Sequence, residues 1–233
     1  MLSTVAVVPE PPLLVPELAT GAATETAALR AACREAARRL AAASESWIAV
    51  GADPGGRRTA DSDARGSFIG FGVDVVVGLG PHAAGPVDPT LPLPLLIAGW
   101  LRAGLPVTVR GETVAPDTDP GACLALGTEL AREAPALLIV GDGAATHTEK
   151  APGYLDARAG PFDDAVAAAL AAADPGALAA LDPALATDLW AVGRAPWQVL
   201  AGATRDSAWT GELLHSSRPF GVGYHVAVWQ RCG

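Results

Sequence analysis

Short, uninterrupted apolar runs alternate along this chain with longer segments whose apolar residues recur every three or four positions. Thr4-Val5-Ala6-Val7-Val8, closed by Pro9, Pro11 and Pro12, has the pattern of a buried strand with a breaker behind it. Trp47 to Val50, Val73 to Val77, Pro106 to Arg110 and Ala136 to Val140 repeat that pattern. Residues 24–43 place Leu29, Cys33, Ala36 and Leu40 on one stripe and predict a helix. Further helices are expected over Leu93 to Ala103, Ala122 to Glu133, 162–173 and 183–203. Asp182-Pro183 supplies an N-cap and first-turn pair for the last of these, and its Trp190 and Trp197, seven apart, share a face that core packing explains. Residues 51–66 are rich in Gly, Asp and Arg and predict a loop. Gly211 to His215 and Val222 to Trp229 predict two closing strands around Arg218-Pro219-Phe220-Gly221.

Strands of this kind alternating with helices predict an α/β fold. The expected architecture is a mostly parallel central sheet with helices on both faces, in a single domain over 1–233. Ligands in such folds sit outside the carboxyl ends of the strands. That rule selects the loops after Val8, Val50, Leu79 and Val140, and with them Glu10, Asp53, His82 and the segment from Asp142 to Glu149.

Composition narrows the partners. The formal net charge is −9, which opposes binding to a phosphate backbone, so no nucleic-acid partner is expected. The cluster Arg30, Arg34, Arg38 and Arg39 falls on one helix and has the character of a solvated face, with Glu35 to Arg39 an i,i+4 pair. Leu91 to Leu101 is too short to cross a bilayer and contains Pro92 and Pro94, so no membrane association is expected. Cys33, Cys123 and Cys232 have neither paired nor zinc spacing, and Met1 to Glu17 lacks the basic start of a signal peptide. Both observations suggest reduced thiols and a cytoplasmic protein.

The chemistry-bearing residues are few. No Gly-x-Ser-x-Gly elbow is present, which leaves a hydrolase reading without its nucleophile. Gly78-Leu79-Gly80-Pro81 lacks the third glycine and the following helix of a nucleotide loop. His147 follows a Gly-rich turn at a strand end, where a histidine can serve as a general acid or base, with Asp142 and Glu149 beside it in sequence. His82 is expected to line the same cleft. If Ser217 and Gly221 stand opposite each other, His215 and His225 face the same side of the closing strands.

Five segments, in order and across almost the whole chain, carry a family resemblance. They are Val8-Pro9-Glu10-Pro11-Pro12, Ile48-Ala49-Val50-Gly51-Ala52-Asp53-Pro54, Gly141-Asp142-Gly143-Ala144-Ala145-Thr146-His147, Gly193-Arg194-Ala195-Pro196-Trp197 and Pro219-Phe220-Gly221-Val222-Gly223-Tyr224. Together they resemble the LigB-like family, which has the fold of the class III extradiol ring-cleavage dioxygenases, and its Memo-like relatives. The resemblance implies Fe(II) held by two histidines and a carboxylate, a catechol-like substrate, and an acid–base histidine that maps onto His147 with Asp142 beside it. His82 and Glu149 would then contact substrate.

The chain departs from the pattern at the metal. Glu10 stands where the first ligand histidine belongs and Asp53, or the neighbouring Pro54, where the second belongs, while Glu212 is the nearest match to the carboxylate. Carboxylates suit Mg²⁺, Ca²⁺ or Mn²⁺ better than Fe(II), and a metal-free site is the favoured expectation. The expected function is accordingly a divergent member acting on or binding a small aromatic or polar molecule. The alternatives are a non-catalytic small-molecule- or protein-binding member and a carboxylate-metal hydrolase. Substrate, oligomeric state and protein partner are left open by the sequence.

Overall fold

A computed structural model describes all residues from Met1 to Gly233. The strands are β1 (Thr4–Val8), β2 (Ser46–Ala52), β3 (Arg58–Ala60), β4 (Arg65–Ser67), β5 (Val76–Gly78), β6 (Val87–Asp88), β7 (Thr108–Val114), β8 (Ala136–Val140), β9 (Trp209–Ser217) and β10 (Tyr224–Arg231). The helices are α1 (Ala27–Ala43), α2 (Leu93–Arg102), α3 (Pro120–Glu133), α4 (Ala159–Ala172), α5 (Pro175–Ala179), α6 (Pro183–Asp188) and α7 (Arg194–Thr204).

Seven strands form the central sheet in the order β3-β7-β2-β8-β1-β10-β9, and β5-β4-β6 make a small second sheet. Within the central sheet β7, β2, β8 and β1 run parallel. The two closing strands and β3 run antiparallel, so parallel pairing is confined to the centre rather than extending across most of the sheet. The reason is local. No crossover helix separates β9 from β10, and a short connection joins strands only as an antiparallel hairpin.

Burial on both faces explains the unbroken apolar strands. Ala6 and Val8 of β1, with Leu138 and Val140 of β8, pack beneath α1 and α2. Val5, Val7, Leu137 and Ile139 point the other way, against α3, α4 and α7. The alternation is the period-two geometry of a strand between two helical layers. Helix α1 buries the predicted stripe Leu29, Cys33, Ala36 and Leu40. No helix is long and apolar enough to cross a membrane.

Three sequence expectations are corrected. Residues 51–66 are not a plain loop, since β3 adds to the sheet edge beside β7 and Arg65-Gly66 starts β4. The strand expected over Val73 to Val77 begins only at Val76, because the Asp74 carboxylate accepts a hydrogen bond from the Ser67 hydroxyl at 2.8 Å and folds the start of the run into a turn. The helix expected over 183–203 is two helices. Trp190 between them adopts a left-handed backbone with φ 56°, which puts it on a different element from Trp197. Trp197 is fully buried whereas Trp190 is 56 % exposed, so only one of the two is a core residue.

Candidate functional site

The carboxyl ends of β1, β2 and β8 open onto a cavity of about 690 Å³. Its walls include Pro12, Pro54, Asp142, Trp190, Val222 and Tyr224. Pro12 and Pro54 lie in the loops that follow β1 and β2, where proline cannot continue the ladder. Gly51 of β2 lets α2 pack close, since a Cβ there would collide with the Pro94 ring.

Asp142 is fixed from three sides. Its carbonyl accepts from Gly193 N–H at 2.8 Å, just before α7, and its Oδ1 accepts from Glu10 N–H at 2.7 Å. The neighbouring Gly141 packs on Gly193, where a Cβ would lie 2.6 Å from its Cα. One residue, through its carboxylate and its backbone carbonyl, thus joins the loop after β1, the loop after β8 and the start of α7.

Glu10 is buried beside Asp142, and its Oε2 has no hydrogen-bond partner. Burial pushes its carboxyl well above the ordinary range, and the charges of Asp142 and Asp53 push it further. Burial likewise lifts Asp142 to about 7, against the hydrogen bond from Glu10 and with repulsion from Asp163 adding to the rise. Tyr224 is raised by its own burial and by the Asp142 charge. The cavity floor therefore carries carboxyl groups with no cation beside them. Such groups can donate a hydrogen bond when protonated, exchange a proton near neutral pH, or pair with a positive charge from outside.

His147 lies at this end of the sheet but behind the cavity wall. Its Nε2 meets Asp163 Oδ2 at 2.6 Å, and its N–H donates to Gly221 O at 3.2 Å. Asp163 of α4 is fully buried and also accepts from Ala144 N–H at 3.1 Å. His225 Nε2 lies 3.5 Å from the other oxygen, longer than a good hydrogen bond. Burial raises the Asp163 carboxyl, but His225, His147 and the Ala144 N–H outweigh it and hold the group below its usual value. Gly143 and Gly223 make room for this carboxylate, and a Cβ at either would strike it. The arrangement ties the loop after β8 to the start of β10, where Gly143 N–H donates to Gly223 O and Gly223 N–H donates to Ala144 O.

The structure gathers some of the expected site residues and scatters others. Glu10 and Asp142 meet directly, and Asp53 lies within electrostatic reach of Glu10. Asp53 also serves its own turn, accepting from Gly55 N–H at 3.2 Å. His82 is exposed and far from the opening. The loop that carries it leaves β5 next to the start of β7, where Leu79 O accepts from Val109 N–H, whereas the cavity lies beyond Val114 at the other end of that strand. Glu149 is exposed and touches neither the cavity nor His147. Glu212 belongs to β9 and pairs with Arg39 of α1 at 2.6 Å, which removes it from any shared site with Glu10 and Asp53.

The two strand histidines also part company. Ser217 faces Tyr224 rather than Gly221, an odd shift of three positions, and Val226 rather than His225 stands opposite His215. His225 turns toward Trp197 and Asp163, with Ser216 Oγ 3.0 Å from Nδ1. His215 sits on the other face, its Nε2 2.7 Å from Ser217 Oγ.

These positions bear on the iron that the resemblance implies. An Fe(II) site needs two imidazoles and a carboxylate converging on one point. All four histidines are exposed or engaged elsewhere, and no three His, Cys, Asp or Glu side chains are placed to hold a metal ion. The donors at the cavity, Glu10, Asp53 and Asp142, are carboxylates alone, so the residues present do not fit the ion.

Asp163, Trp190 and Tyr224 were not singled out as site residues by the sequence. Asp163 could have been, because it shares the apolar stripe of Val166 and Leu170 at i+3 and i+7. An acid on that face must find a buried partner.

The architecture is that of an α/β protein with its opening at the carboxyl ends of the parallel strands. The chain matches no family model and no curated protein. Among solved structures it is similar to the uncharacterized protein JW3007 from Escherichia coli K12, with a TM-score of 0.55, 12 % identity, and coverage of 98 % of this chain and 99 % of that one. At that identity the similarity concerns the fold.

Proposed function

We propose that this chain is a divergent LigB-like protein that binds a small aromatic or polar molecule in the cavity at the strand ends, without Fe(II) ring cleavage. The observation that carries this reading is the cavity of about 690 Å³ with Asp142 in its wall and the unpartnered Glu10 carboxyl beside it. A cavity of this size, mostly apolar with a few polar groups, suits a small organic ligand. The cavity lies where the family resemblance expects the reaction centre, yet the histidines that would hold iron are replaced by Glu10 and Asp53. A second reading, acid–base catalysis, is favoured by one feature. Asp142 titrates at about 7 within the cavity wall, the value that suits proton transfer at cellular pH. The free thiols of Cys33, Cys123 and Cys232 support a cytoplasmic location.

The test combines metal and turnover. Protein reconstituted anaerobically with Fe(II), then desalted, should retain well under one iron per chain and consume no oxygen with catechol. Stoichiometric iron with catechol-dependent oxygen uptake would overturn the reading. Loss of activity in an Asp142→Asn variant, once any substrate is found, would select the acid–base reading over simple binding.

A further inference from the structure

The charges around the cavity are one-sided. Asp142 and Asp117 belong to its wall, Glu10 and Asp53 lie behind it, and no Arg or Lys contributes to the lining. Two arginines on neighbouring elements give their donors to other groups. Arg30 of α1 donates from Nε to Leu14 O at 2.9 Å and from Nη2 to Thr26 Oγ1 at 2.8 Å. Arg194 is buried behind Pro116 and gives its donors to the carbonyls of Thr118 and Pro116 and to Gln198.

Glu10 adds an independent sign. Its side chain is more than nine-tenths buried, yet Oε2 has neither a hydrogen-bond donor nor a cation. Buried acids are ordinarily paired, and an unpaired one is costly. The rest of the wall is largely apolar and carries two aromatic rings. Trp190 is exposed at the cavity with its indole over Gly153, where a Cβ would lie 3.3 Å from Cδ2, and Tyr224 closes the floor beside Asp142.

We propose that the cavity takes a small organic amine, its ammonium paired with the Asp142 carboxyl of the wall, in front of the unpartnered Glu10 carboxyl, and its apolar body against Trp190. This rests on the small-molecule reading above and specifies the ligand class for the same cavity. An ammonium supplies both the counter-charge and the donors that this end of the sheet lacks. An aromatic face next to it adds cation–π attraction. A carboxylate ligand would instead meet the Asp142 and Asp117 carboxyls of the wall.

Titration calorimetry at pH 7.5 and indole-resolved NMR test this with three probes of one shape: 2-phenylethylamine, 2-phenylethanol and phenylacetate. The amine should bind at least tenfold more tightly than the alcohol, with phenylacetate weakest, and should shift the Trp190 indole N–H. Asp142→Asn keeps the oxygen that accepts from Glu10 N–H. It should cost the amine at least tenfold and leave the alcohol within twofold. Trp190→Ala, at an exposed position, should weaken the amine by threefold or more. Alcohol or phenylacetate binding as tightly as the amine, or an Asp142→Asn variant that binds the amine normally, would overturn the amine assignment and leave the cavity reading standing. No shift at Trp190 with any probe would refute both.

Discussion

Asp142 holds two backbone segments with hydrogen bonds while its carboxyl remains in the cavity wall without a cation. Its folded value of about 7 lies above the ordinary aspartate value, near 3.9. A carboxyl raised in this way favours folding when protonated. Its contribution is complete below about pH 4 and is lost as pH climbs through 7. Denaturant melts across pH 4–8 should therefore show Asp142→Asn removing part of a decline in stability, by up to about 1.4 kcal/mol per pH unit. A variant whose pH profile overlays the wild type would show that the carboxyl is not perturbed in this way. Asp163 has the opposite sign. Its folded value is depressed, so its stabilisation is present above the unfolded value near 4 and is lost as pH falls through the folded one.

His147 belongs to that second, structural group. Replacing it with Ala leaves a fully buried Asp163 oxygen without its partner at 2.6 Å, and stability should drop by about 1–3 kcal/mol. Small-molecule binding in the cavity should stay within twofold. A tenfold loss of binding with unchanged stability would return His147 to the site. Position at a strand end was legible for this residue, but the direction of its ring was not. Its partner Asp163 comes from a helix 16 positions away, and only tertiary packing brings the two together.

At the scale of elements, the apolar runs located most of the central sheet and the main helices, because buried strands and amphipathic helices leave strong periodic signals. The signal failed where polar contacts override propensity. Asp74 turned the start of one run, and the break at Trp190 lets Leu189 O accept from Ala145 N–H and Gly193 N–H donate to Asp142 O. Helix pairing was invisible in the same way. Gly127 of α3 faces α7 so closely that a Cβ would lie 2.7 Å from Ala203 N, and Gly202 faces the Leu124 backbone. Gly127→Ala should destabilise by about 1–3 kcal/mol in urea melts, since the helices must separate. Gly160 of α4 has open space around the same atom, and there Ala should be neutral or stabilising by about 0.5–1 kcal/mol. Equal effects at both positions would contradict the close α3–α7 packing.

Across the whole molecule, the sheet order brings the loops after β1, β2 and β8 together, although they lie more than 130 residues apart in the chain at the extreme pair, Glu10 and Asp142. Three of the four loops selected from the sequence do meet at one end. The fourth, carrying His82, fails because β5 joins a separate small sheet and its exit lies by the start of β7. A strand can be recognised from its residues, but sheet membership and direction depend on partners elsewhere. The same limit hid the role of Glu212, which Arg39 holds on the helical face.

Whether this opening receives a small molecule can be read directly from crystals soaked with a library of small aromatic and amine fragments. Density for bound fragments should appear between Asp142 and Trp190, with any amine nitrogen turned toward Asp142. Fragments bound only at other surfaces, with this cavity holding nothing but solvent at high fragment concentration, would contradict it.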